Sequence, residues 1–276
     1  MAFTYQRRYR GPIQAVLLDW AGTTMDYGCV APAVVFVEVY KRQGVPISME
    51  EARIPMGAHK RVHIQKISEL DSVRRRWQEA HGRLPTDDDV SRMFAEFVPL
   101  QLACLSDYSA LIPGTLEAVA AMRARDIRIG STTGYTTEMM KINLEDARRQ
   151  GYAPDSTVCA SDVPAGRPYP YMCLQNVINL GVSPVDACVK VDDTVPGIEE
   201  GLNAGMWTVG LAMSGNEIGL PLKEVQALDP ADRERRRQRA CARMYQCGAH
   251  YVVDSLAELM PCLDEIEARI ARGERP

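Results

Sequence analysis

The sequence predicts an α/β protein, a Rossmann-like parallel-sheet core interrupted by an inserted α-helical cap domain. Three observations predict it. The run Ile13-Gln14-Ala15-Val16-Leu17-Leu18 is largely apolar and ends on Asp19, followed by a Gly22-Thr23-Thr24 turn. That is the pattern of a buried parallel strand presenting an acid at its carboxyl end. From residue 111 onward, strand-like and helix-like segments alternate, which implies right-handed βαβ units and a parallel sheet. Between these stretches, residues 29–105 read as helical throughout. A long helical stretch between the first two strands of a sheet is best explained as an insertion. Residues 1–28 and 106–276 are therefore expected to form the core and 29–105 the cap, with one site at their junction.

Each element has its own justification. Ala31 to Gln43 is strongly apolar and stops at Gly44, and Ser48-Met49-Glu50-Glu51 fits a capping box that opens the next helix. Pro55-Met56-Gly57 interrupts that helix, which resumes through Lys60 and His63, while Asp71 and Thr86 read as caps of two more. In the core, Pro113-Gly114-Thr115 starts a helix running to about Arg125, and Ile127 to Thr133 reads as a strand with a polar end. Thr136 to Gln150 is helical, Thr157 to Cys159 a short strand, and Pro168 to Leu180 a helix stopped by Gly181. Ala187 to Asp193 is an apolar strand ending in two acids, Pro196 to Ala204 a helix, and Met206 to Gly210 a further strand.

The 276 residues are 46% hydrophobic and 25% charged, as in an ordinary soluble globular protein, and the net charge of −4 argues against a nucleic-acid binder. The basic run Arg233 to Arg239 sits among Asp229, Asp232 and Glu234 and reads as a solvated helix face. Eight scattered cysteines with no C-x-x-C pair, no secretory segment and no apolar run long enough to cross a bilayer point to reduced thiols in a cytoplasmic protein without membrane association. The same spacing argues against zinc.

Three strand ends carry polar groups: Asp19, then Ser131-Thr132-Thr133-Gly134, then Asp192-Asp193. Adjacent parallel strands bring such ends together, and two carboxylates flanking a hydroxyl and backbone N–H loop suit Mg²⁺ and a phosphoryl group. Arg167 opens the helix at Pro168, within reach of a phosphate oxygen. Met56, Lys60 and His63 lie at i−4, i and i+3, so a helix presents them on one face. Taken singly, Lys60 reads as a surface lysine, His63 as a helix-face histidine, and Cys29 and Met56 as core residues. His59, His81 and His250 are read as structural or surface residues.

Together these segments resemble the haloacid-dehalogenase superfamily and, within it, the phosphonoacetaldehyde hydrolase (phosphonatase) family. The closer match rests on Asp19-Trp20-Ala21-Gly22-Thr23-Thr24, Asp26 to Cys29, Pro55-Met56-Gly57, Lys60, His63, Ser131 to Thr136, Asp162 to Pro170 and Gly205 to Gly210. The resemblance implies a homodimeric Mg²⁺-dependent hydrolase that breaks a carbon–phosphorus bond. Phosphatases of the superfamily carry a second acid two residues after the nucleophile to protonate a departing alkoxide, and Ala21 stands there. A phosphonate leaves as a carbanion, which needs an electron sink instead, and an iminium on Lys60 would provide one.

By the same resemblance Asp19 is the nucleophile, and Asp19, the Ala21 carbonyl and Asp193 hold Mg²⁺. Thr133, Gly134 and Arg167 bind phosphoryl oxygens, and His63 relays a proton. Tyr135, Cys29 and Met56 line the pocket around the aldehyde. The apolar helix holding Val34 to Tyr40 either packs within the cap or forms a subunit interface, and the implied homodimer favours the second. Two departures stand out. Many superfamily members carry an acid four residues after the distal metal Asp, where this chain has Gly197; either Asp192 compensates or the metal is held more weakly. Arg167 replaces the usual lysine of the third motif. The alternatives are another hydrolase of this superfamily, a phosphatase or a dehalogenase, or a catalytically silent binding protein on the same fold.

Overall fold

The computed structural model describes residues 8–276. The chain begins with β1 (Ala15–Leu18), every side chain of which is buried. Five of the six helices that precede the second strand follow: α1 (Val30–Arg42), α2 (Met49–Arg53), α3 (Lys60–Ser68), α4 (Asp71–His81) and α5 (Asp87–Cys104). Then come α6 (Thr115–Arg123), β2 (Arg128–Thr133), α7 (Thr137–Arg149), β3 (Ser156–Cys159), α8 (Tyr171–Leu180), β4 (Cys188–Asp192), α9 (Val195–Ala204) and β5 (Trp207–Leu211). The chain closes with α10 (Leu222–Ala227), α11 (Pro230–Gln246), β6 (Tyr251–Val253) and α12 (Leu259–Ala271).

The six strands form one parallel sheet in the order β3-β2-β1-β4-β5-β6. β1 lies between β2 and β4, so the order in which successive strands are added reverses beside it. That is the point where open α/β sheets place ligands, outside the carboxyl ends of the strands.

Among the helices between β1 and β2, α1 packs on α2 and α5, and α3 on α5. α1 buries Ala33, Val35, Phe36, Val39 and Tyr40, and Phe36 stacks on Phe97 of α5 with ring centroids 4.5 Å apart. Cys29, just before α1, adopts a positive φ and offers no side-chain cap. The carboxylate of Asp26 caps instead, accepting from the N–H groups of Val30 and Ala31 at 3.0 Å. The Ser48 capping box forms and Thr86 caps α5 as the sequence predicts, Thr86 making a box with Asp89, whereas Asp71 is the first residue of α4 and Leu70 occupies its N-cap. No described helix is long and apolar enough to cross a membrane, and all eight cysteines are free.

Two other boundaries differ. α8 starts at Tyr171 rather than Pro168, because Pro168 and Pro170 each push the preceding residue out of the helical region. Arg167 therefore sits in the turn before the helix. β6 has no counterpart in the sequence reading; Tyr251-Val252-Val253 is too short to show a period, and it pairs with β5 at the sheet edge.

Candidate active site

Register brings the acids together. Leu18 stands opposite Ser131 on β2 and Val191 on β4, so Asp19, Thr132 and Asp192, one residue further on, emerge at the same level. The carboxylates of Asp19, Asp192 and Asp193 are buried and offer oxygens within 4.8 Å of one another. Asp193 is oriented by the Thr23 hydroxyl, which donates to Oδ1 at 2.9 Å, and by the Asn216 N–H, which donates to Oδ2 at 2.8 Å. Burial, then Asp19 and Asp192, push the Asp193 carboxyl well above its ordinary range. Burial and Asp192 likewise raise Asp19, against the lowering by Arg167 and Lys190. Three clustered hard oxygen donors, of which Asp193 has no cationic partner among the described residues, fit a hard divalent cation.

Gly197 acquires a meaning from this packing. A Cβ at that position would lie 1.9 Å from Cγ of Asp192, so the Asp192 carboxylate fills the space that a side chain at 197 would need. That carboxylate accepts from the Thr194 N–H at 3.0 Å and hydroxyl at 2.7 Å, and from Lys190 Nζ at 2.7 Å. Gly197→Ala is expected to dislodge it, destabilising the fold by about 1–3 kcal/mol through overpacking. The same change should weaken Mg²⁺ binding by about tenfold or more, because an oriented neighbour of the ligands is lost. Calorimetric titration with Mg²⁺ and thermal melting check this; wild-type values for both would show that Asp192 tolerates displacement.

Asp19, Ala21, Cys29, Met56, Lys60, Thr133, Gly134, Tyr135 and Arg167 line a single cavity of about 20 Å³, completed by Gly57 and Thr194, to which the sequence reading gave no role. Thr133, Gly134 and Tyr135 come from the end of β2, and the Thr133 hydroxyl accepts from the Tyr135 N–H at 3.1 Å. The opposite wall is the loop into α3. Gly134 lies so close to this loop that a Cβ on it would meet the Ala58 carbonyl oxygen at 2.8 Å. Arg53 of α2 ties the helices to the sheet edge, donating to the carbonyls of Gly28 at 2.8 Å, Cys29 at 3.2 Å and Gly219 at 3.0 Å.

Lys60 is the first residue of α3 and is 4% exposed. Its Nζ lies 4.6 Å from the centroid of the Tyr135 ring and 6.0 Å from that of Phe36. Burial lowers its pKa to about 8, assisted by Arg167 and opposed by Cys29, Asp19 and Asp26. About one amine in ten is then neutral at pH 7, against fewer than one in a thousand for an ordinary lysine.

His63 is fully buried on the same helix, one turn away, but does not line the cavity. Its Nε2 donates to the Ala52 carbonyl at 2.8 Å, its ring stacks on Phe36 at 3.8 Å, and Nδ1 has no partner. Burial and the neighbouring Lys60 hold its pKa well below the ordinary range, so the ring is neutral.

Arg167 is buried beside Asp19, Asp192 and Glu200; these carboxylates outweigh the opposing effect of burial and keep it charged. Its Nη2 donates to Asp19 Oδ1 at 2.6 Å. The sequence reading assigned nothing to Lys190, Glu200 or Asn216, and placed Thr132 only in the hydroxyl loop at the end of β2. A lysine inside the apolar run of β4 was the available signal, since a charge in a doubly covered strand has to be paired.

Comparison with known proteins supplies the family. A family model of haloacid dehalogenase-like hydrolases matches residues 13–205. A phosphonoacetaldehyde hydrolase of Hahella chejuensis is 47% identical over 276 residues, covering 100% of this chain and 94% of that protein. One from Klebsiella pneumoniae is 50% identical over 266 residues, covering 96% of this chain and 99% of its own length. The crystal structure of a phosphonoacetaldehyde hydrolase-like protein from Oleispira antarctica superposes with a TM-score of 0.97 at 42% identity, with each chain covered in full. The chain is therefore a hydrolase, and it belongs to the phosphonoacetaldehyde hydrolase family of haloacid dehalogenase-like hydrolases.

Proposed function

We propose that this chain hydrolyses the carbon–phosphorus bond of phosphonoacetaldehyde, giving acetaldehyde and phosphate. The observation that carries the reading is a buried lysine of lowered pKa and a buried carboxylate lining one cavity, with Ala21 where a leaving-group acid would stand. The names of the relatives supply the substrate.

The neutral Lys60 amine adds to the aldehyde carbon and, with uptake of one proton from solvent and loss of water, gives a protonated imine. Asp19 attacks phosphorus; the C–P bond breaks and its electron pair enters the enamine while the phosphoryl group passes to the Asp19 carboxylate. Protonation at carbon and hydrolysis release acetaldehyde and restore Lys60. A second water hydrolyses the aspartyl-phosphate. Thr133, Gly134 and Arg167 hold phosphoryl oxygens, and Cys29, Met56 and Tyr135 enclose the aldehyde. His63 ties α3 to α2 through the Ala52 carbonyl, and any proton relay by it would run through neighbours outside the cavity. Asp19, Asp193 and the Ala21 carbonyl would hold Mg²⁺, which supplies charge neutralisation for attack on an anionic phosphorus centre.

In this reading residues 29–105 act as a cap over a core of 1–28 and 106–276, of which residues 1–7 lie outside the described residues. The cytoplasmic homodimer belongs to the same proposal, with the half-buried Val34 and Val37 of α1 available to a partner.

Acetaldehyde release, coupled to NADH oxidation by alcohol dehydrogenase, is the test. Release with Mg²⁺ and its loss on chelation are expected. Chelator-resistant turnover of haloacids, without acetaldehyde release, would assign the chain to dehalogenase chemistry instead.

A further inference from the structure

Below the cavity lies a closed set of buried charges for which the reaction above has no use. The Lys190 side chain and the Glu200 side chain are 0% exposed, and both reach the same hydroxyl, that of Thr132. Lys190 Nζ donates to Thr132 Oγ1 at 2.8 Å, and Arg167 Nη2 donates to the same oxygen at 2.8 Å. With both lone pairs occupied, the hydroxyl hydrogen points to Glu200 Oε2, 3.3 Å away. Oε2 also accepts from Arg167 Nε at 2.9 Å. The Nε and Nη2 edge of the guanidinium is thus fixed from the inside by Glu200, Thr132 and Asp19. Nη1 has only a long contact, 3.5 Å to the Gly57 carbonyl, and is the edge left for a ligand.

We propose that Glu200, Thr132 and Lys190 are positioning residues: they turn the Arg167 guanidinium so that Nη1 faces the phosphoryl group. The inference rests on the proposed role of Arg167 as a phosphoryl-binding residue. A guanidinium has free rotation about its stem, and five donors in a fixed fork bind an oxyanion well only in one orientation. Glu200 sets that orientation from α9. Lys190, 2.7 Å from Asp192 and 3.8 Å from Glu200, balances the carboxylates that crowd Arg167. Thr132 joins the two charges through one hydroxyl.

The test uses the Mg²⁺-loaded protein with inorganic phosphate as probe, read by titration calorimetry. The second readout is the borohydride-trapped adduct at Lys60, measured by mass spectrometry with phosphonoacetaldehyde. Glu200→Gln and Thr132→Val are expected to weaken phosphate binding about tenfold or more, by analogy with other oriented partners. Adduct formation at Lys60 should stay at the wild-type level, and Thr132→Ser, which keeps the hydroxyl, should bind phosphate like the wild type. Unchanged phosphate binding in both variants overturns the proposal. So does a fall in adduct formation parallel to the fall in phosphate binding, which would mark a general packing role. Should Glu200→Gln fail to fold, the Thr132→Val and Thr132→Ser pair decides alone. A wild-type protein that forms no adduct would sink the functional reading, while its phosphate titration would still decide the role of Thr132 and Glu200.

Discussion

Asp19→Asn is expected to lower phosphate release by at least about 10⁴-fold, the scale on which loss of a nucleophile acts. Asparagine keeps the shape and the contact with Arg167 but offers a poor nucleophile and removes one of three clustered carboxylates. The variant should still form the imine, since Lys60 lies on the other wall of the cavity. The expected signature is therefore divided: a persistent borohydride adduct at Lys60 with no phosphate release. Turnover near the wild-type rate would refute nucleophilic attack by Asp19. Loss of the adduct along with turnover would mean that the two halves of the site do not act separately.

Lys60→Arg should have an effect of similar size, at least about 10⁴-fold on acetaldehyde release, for a different reason. The guanidinium preserves positive charge but stays protonated and forms no imine. If Lys60 served only as a cation beside the phosphoryl group, arginine would retain a good part of the activity. The comparison thus separates covalent from electrostatic use of the residue. Retained acetaldehyde release by Lys60→Arg rules out the Schiff base. Circular dichroism and Mg²⁺ titration should match the wild type, because the metal-side carboxylates come from β1 and β4.

Much of this arrangement could be read in the residues because it depends on local pattern. The apolar run into Asp19, the Ser/Thr end of β2 and the paired acids of β4 each announce a strand and its polar terminus, and parallel pairing then places them side by side. The capping box at Ser48 and the cap at Thr86 are legible because their chemistry spans only a few residues. What stayed hidden depends on long-range contact. Glu200 looks like an ordinary helix-surface acid, and only the packing of α9 against β4 shows that it faces inward. Asn216 sits in a loop with no period, yet its backbone N–H orients Asp193. The relation between Gly197 and Asp192 is a matter of filled volume, which spacing does not express. α8 began later than expected because two prolines outweighed the apolar period around them.

The size of the cavity has a kinetic consequence. About 20 Å³ is room for about one water molecule, and a phosphonate bearing an aldehyde is several times larger. Movement of the loop around Gly57 and Ala58, which is seated against Thr194 and Gly134, would widen the cavity. With such a movement in the cycle, turnover is expected to depend on solvent viscosity, which stopped-flow or steady-state rates in sucrose would check.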